Sequence, residues 1–165
     1  MDAIECIRTR RSVRKYLPAK VPADTLKEIV ECANLAPSAR AIYPWHFVVV
    51  SNRDNLDRIA GLATYGSFLK AASACIIVCG QKSHDFTVID CSAATQNILL
   101  AATAKGIGSC WVNAWRKPYN EEIAGIIGLP DSLELVSIVS LGYPAENPSS
   151  KSKPVEEVLH WEKYA

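Results

Sequence analysis

Apolar positions along this chain fall into two alternating rhythms. After Pro22-Ala23-Asp24-Thr25, the residues Leu26, Ile29, Val30, Ala33 and Leu35 recur at helical spacing until Pro37 stops them, which predicts an amphipathic helix. Residues 2–9 form a shorter helical candidate with Ile4 and Ile7 on one side, and residues 55–62 and 120–127 supply two more. Residues 89–105 carry the longest helical pattern. It is rich in alanine, apolar nearly all round and closed by Gly106, so it belongs in a core or an interface. Between these segments lie β-branched apolar runs at residues 45–50, 74–79, 109–115 and 133–141, which read as buried strands. The order predicts an α+β fold with a central sheet of four or five strands flanked by helices.

Composition adds bounds. The 165 residues fit one domain spanning 1–165, with 49% hydrophobic and 21% charged positions. That balance is ordinary for a globular chain. No apolar run reaches the roughly 18 residues a membrane span needs, and acids stand at the start where a signal peptide has bases, so no membrane partner and a cytoplasmic location are expected. Six dispersed cysteines in apolar surroundings read as reduced core residues, and three histidines far apart match no metal spacing. No metal is expected. The segment 146–165 begins rich in Pro, Ser and Lys and then turns apolar at Val155, Val158, Leu159 and Trp161; such a tail needs a surface to pack on.

Charge is where chemistry first shows. Six cations and no acid lie between Arg8 and Lys20 in a chain of net charge +1. Within that stretch, Arg10-Arg11-Ser12-Val13-Arg14 gathers guanidinium groups around a hydroxyl, a donor set suited to one phosphate. Lys151-Ser152-Lys153 adds two cations at alternating positions. With pI near 7.6 the chain has no basic face for a polyanion, so nucleic acid is not expected as a partner. Gly106-Ile107-Gly108 follows a helix and precedes a strand, the reverse of a Rossmann turn. The loop Ala36-Pro37-Ser38-Ala39-Arg40-Ala41-Ile42-Tyr43-Pro44-Trp45 combines rigid prolines, small residues, a cation and aromatics.

Together these stretches resemble the nitroreductase family of flavin mononucleotide (FMN) oxidoreductases. Arg10-Arg11-Ser12-Val13-Arg14-Lys15-Tyr16 matches its R-R-S-x-R-x-[FY] loop, residues 36–47 its A-P-S-x-x-N-x-Q-P-W-x-F loop, and Gly106-Ile107-Gly108-Ser109-Cys110-Trp111 its G-[IL]-G-S-C-W turn; Gly142-Tyr143-Pro144 and the lysine pair follow in order. The resemblance implies a nitroreductase-like fold, an intertwined homodimer with FMN at the interface, and segment 146–165 packing on the partner subunit. It implies cofactor contacts from Arg10, Arg11, Ser12 and Arg14, and from Lys151 and Lys153 at the phosphate. Pro37, Ser38, Ala39 and Arg40 would reach over from the partner subunit, and the backbone at Asn113 and Ala114 would lie near the flavin. Arg14 would stabilise the reduced ring, and no side chain would act as nucleophile. The implied activity is hydride transfer from NADH or NADPH to flavin, then ping-pong reduction of a small-molecule acceptor of nitroaromatic, quinone or flavin type. An FMN storage, delivery or redox-sensing protein of the same fold is the alternative. The chain departs from the pattern at Ala41 and Tyr43, where the family has Asn and Gln.

Overall fold

The strand β2 (Ala74–Gln81) is buried along nearly its whole length because both of its faces are covered. In the computed structural model, which describes residues 2–150 and 152–164, Ala74, Ile76 and Val78 point to one hydrophobic layer and Cys75, Ile77 and Cys79 to the other. β2 pairs antiparallel with β1 (Trp45–Val50) and β4 (Leu133–Gly142), and β3 (Gly108–Asn113) completes the sheet in the order β1-β2-β4-β3. The first layer is filled from α2 (Ala23–Asn34) and α4 (Thr87–Ala104), with α1 (Ala3–Thr9) against α4. The second is filled from α3 (Arg53–Leu62), a short 3-10 turn (Ser67–Ala71) and α5 (Asn120–Ile127). The result is an α+β sandwich with a four-stranded antiparallel sheet. A fifth position is marked only by a single parallel bridge between Ser12 and Ser109.

A β-bulge gives β4 its faces. Val78 pairs with Ser137 but Cys79 pairs with Leu135, so Val136 is the extra residue. Val136 and Ser137 therefore both face α4, where the Ser137 hydroxyl meets Thr95 Oγ1 at 2.7 Å. Neighbours Leu135 and Ile138 remain on the other side.

The long helix α4 begins at Thr87, two residues before its apolar pattern, because the Thr87 hydroxyl bonds to Gln81 O and fixes the first turn. It ends as its glycine foretells. Gly106 has φ 70°, its N–H bonds to Thr103 O, and Ile107 N–H bonds to Ala102 O, the paired closure that a left-handed residue permits. In α1 the outcome differs from the pattern: Cys6 is the buried residue, while Ile4 and Ile7 are exposed. The tail is likewise uncovered within one subunit. Val155, Val158 and Leu159 are exposed, and Trp161 is 79% accessible.

Candidate functional site at the outer edge of β3

An edge strand turns the N–H and C=O of every second residue away from its sheet. Ala114 N–H bonds to Val136 O at 3.1 Å, which makes the adjacent Asn113–Ser137 pair non-hydrogen-bonded. The same parity holds for Trp111 and Ser109. All three outward carbonyls have partners: Ser109 O accepts from Val13 N–H at 2.9 Å, Asn113 O from the Tyr119 hydroxyl at 2.9 Å, and Trp111 O from the Cys110 thiol at 3.9 Å. The outward groups of Trp111 and the Asn113 N–H border a cavity of about 320 Å³. Cys110 and Val112 form part of its wall, Tyr65 and Phe68 supply aromatic rings, and Arg14 and Lys117 supply charge.

The arginine segment runs extended beside this edge, so alternate residues part company. Val13 turns inward, packed so tightly on Gly108 that a Cβ there would lie 2.9 Å from Val13 Cγ1. Arg10, Ser12 and Arg14 turn toward Cys110. The Ser12 side chain and both guanidinium groups favour the thiolate form of Cys110, whose thiol faces Trp111 O at 3.9 Å. Burial pushes the Cys110 thiol up, against the opposing effects of Arg14 and Ser12, so it stays protonated and unreactive. Arg14 also stands over the Phe68 ring, its Cζ 5.8 Å from the centroid.

The Glu146 carboxylate does not pair with these guanidinium groups. Glu146 Oε1 accepts from the backbone N–H of Arg14 at 2.7 Å and of Lys15 at 3.1 Å, holding the segment rather than a guanidinium. Among the described residues neither Arg10 nor Arg14 forms an ion pair with a carboxylate. Arg11 is not brought to this cluster. Its side chain folds back to Arg8 O and Arg10 O, both at 2.8 Å, and lines a separate cleft with Gly106 and Gly108. The alternation visible in the sequence already carries that separation.

The second predicted group lies elsewhere in the subunit. Ser38 Oγ donates to Asp90 Oδ2 at 2.7 Å and Ala39 N–H to the same carboxylate at 3.1 Å, while Pro37 and Arg40 are exposed. Arg40, Ala41 and Tyr43 all have positive φ, between 51° and 55°, a conformation that costs an L-residue roughly 1–2 kcal/mol. Asn113 and Ala114 are fixed by a local network: Asn113 Oδ1 accepts from Trp115 N–H, and Ala114 O accepts from Asn120 Nδ2 at 2.6 Å. Lys153 is exposed in the tail; Lys151 lies outside the described residues. Tyr65, Phe68, Cys110 and Lys117 were not legible as site residues. Only the Gly-Ser-Cys-Trp run hinted at one of them.

The statistical profile of the nitroreductase family matches residues 7–65 and 62–143. The chain belongs to the nitroreductase family. It is 40% identical, over 99% of its length and 88% of the relative's, to a Methanothermobacter thermautotrophicus protein provisionally named NADH dehydrogenase/NAD(P)H nitroreductase. A crystal structure from Parabacteroides distasonis carrying the same provisional name superposes with TM-score 0.93 at 33% identity, covering 98% of each chain. An FMN-dependent nitroreductase from Clostridium difficile superposes with TM-score 0.91 at 28% identity, covering 98% of this chain and 99% of that one. The four-stranded sheet and its two helical layers are thus the nitroreductase fold. Among the described residues no helix is long and apolar enough to cross a membrane.

Proposed function

We propose that the cavity beside β3 holds FMN and that this member of the nitroreductase family is an NAD(P)H-dependent flavin oxidoreductase. One observation carries the reading: the Arg14 guanidinium and the outward backbone groups of β3 border one cavity with aromatic walls, and Arg10 and Ser12 lie beside Cys110, which forms part of that wall. That donor set fits the group. Guanidinium and hydroxyl donors suit a phosphate, backbone groups suit the polar rim of a flat heterocycle, and aromatic rings suit its faces.

Bound there, FMN would accept a hydride from NADH or NADPH and pass electrons to a nitroaromatic, quinone or flavin-type acceptor. The chain's own residues bind, orient and polarise. Arg10 and Ser12 address the phosphate with Lys151 and Lys153. Arg14, held over Phe68, places a fixed positive charge where reduction adds negative charge, which favours the reduced state. The backbone at Asn113 and Ala114, rigidified by Tyr119 and Asn120, borders the reacting part of the ring. With the Cys110 thiol kept protonated by burial, no side-chain nucleophile is required, and the two substrates use one cavity in turn.

The working unit in this reading is a homodimer. Pro37, Ser38, Ala39 and Arg40 of one subunit cover the flavin of the other, and segment 146–165 packs on the partner. The exposed Ile4, Ile7, Val155, Val158 and Trp161 supply apolar surface for such an interface. The test is the visible spectrum of the purified protein. One FMN per subunit, bleached rapidly by NADH or NADPH under anaerobic conditions and restored by a quinone, is expected. Flavin that binds but resists both nucleotides indicates storage or sensing; a protein that takes up no FMN overturns the reading.

A further inference from the structure

Asp90 is 4% exposed and, among the described residues, the only carboxylate buried outright. A buried carboxylate persists only where donors compensate it. Here the donors come from a segment about fifty positions earlier in the chain. Ser38 Oγ lies 2.7 Å from Asp90 Oδ2, and Ala39 N–H lies 3.1 Å from the same oxygen. His84 Nε2 approaches it at 3.4 Å. The Ser38 hydroxyl is itself an acceptor for Tyr43 N–H at 2.8 Å. Both ends of the 38–43 turn are therefore tied, through one hydroxyl, to one carboxylate. Between those ends sit the left-handed Arg40 and Ala41, and Tyr43 itself is left-handed. A turn of such residues relaxes unless its surroundings over-determine it. The carboxylate stands in the first turn of α4, whose start is locked to Gln81 O by Thr87.

We infer that Asp90 is a positioning residue: its carboxylate latches the 38–43 turn in the strained shape that covers the neighbouring subunit's flavin. The inference rests on the proposed role of residues 37–40 and assigns their geometry to a residue outside every motif of the chain. Asp90 touches no substrate in this arrangement. It acts through Ser38.

The experiment compares wild type with Asp90→Asn and Ser38→Ala as holoproteins, by two independent readouts. Limited trypsinolysis with mass spectrometry follows cleavage after Arg40 relative to cleavage after Arg58 in α3. Release of the turn raises that ratio by about tenfold. Kinetics should show kcat/KM falling about tenfold or more while FMN stays bound, because a misplaced cover disturbs geometry rather than phosphate contacts. The double variant should match Asp90→Asn, since both changes break one linkage. If Asp90→Asn does not fold, Ser38→Ala carries the test, because it leaves Ala39 N–H and His84 on the carboxylate. A folded variant whose Arg40 to Arg58 ratio stays within about twofold of wild type overturns the latch, even if its melting temperature falls. Absence of FMN would instead overturn the flavin reading, and the cleavage ratio, which needs no cofactor, would still decide the latch.

Discussion

The Tyr16 phenol meets Ser140 Oγ at 2.6 Å inside the protein and lies 2.6 Å from Val13 O. Ser140 Oγ in turn reaches Cys110 O at 3.3 Å. This chain of hydroxyls ties the arginine segment to the middle of the sheet. Tyr16→Phe removes the donor that Val13 O relies on in a buried setting, at a cost of about 1–3 kcal/mol. Urea unfolding should show that loss, and FMN affinity should fall although the residue touches no phosphate. An unchanged urea midpoint would show that water replaces the phenol.

Arg10 and Lys153 are proposed to address the same phosphate. Arg10→Ala and Lys153→Ala should each weaken FMN binding by about 1.5–3 kcal/mol, the range for a charge-assisted contact. Together they should cost less than the sum, because groups that share a partner are coupled. Fluorescence titration of the apoprotein with FMN measures all four affinities. Strict additivity would place Lys153 away from the phosphate.

Alkaline pH should unfold the protein early. Burial pushes the thiols of Cys75, Cys79 and Cys91 up to about 12, whereas an unfolded thiol titrates near about 8.5. The folded state therefore holds protons that the unfolded state has released. Stability is complete below about pH 8.5 and is lost as pH climbs toward 12, by about 1.4 kcal/mol per pH unit for each thiol. Burial also raises the Tyr16 phenol, so its contribution joins from about pH 10 upward. Cys75→Ala should flatten the slope by one thiol's share, read from urea midpoints at several pH values. A flat profile between about pH 9 and 10.5 would contradict the burial of these thiols.

Dimerisation, flavin occupancy and thermal stability should move together. A ligand whose site needs both subunits stabilises the dimer by mass action. Dilution should lower FMN occupancy and melting temperature in parallel, and added FMN should restore both. Ultracentrifugation checks the mass directly. A monomer that keeps stoichiometric FMN would remove residues 37–40 from the partner's site.

Most elements were legible because their periodicity was enforced from both sides. The unbroken apolar run of β2 and the Leu26, Ile29, Ala33 stripe of α2 each admit one reading once a two-faced sheet is assumed. Boundaries slipped where side chains rather than hydrophobicity decide. Thr87 starts α4 early through Gln81 O, and Asn113 ends β3 before Trp115 by accepting the Trp115 N–H. The cavity was only partly legible. Arg14 announces itself within a cluster of cations, but Phe68 reaches the cavity from a 3-10 turn and Tyr65 from the turn just before it, neither with a periodic signature. Asp90 looks like any acid in a helix's first turn until the fold delivers Ser38 to it.

The extra residue in β4 has a consequence for how this fold tolerates change in length. Val136 shifts the phase of the strand by one residue, so everything before it and everything after it is written in opposite parity. Deleting that single codon would restore a uniform alternation and turn either Ser137 from Thr95 or Leu135 from the α5 layer. A neighbouring insertion paired with the deletion would merely relocate the shift along the strand. Drift in sequence length is therefore absorbed by the loops around the sheet, while β4 keeps its count.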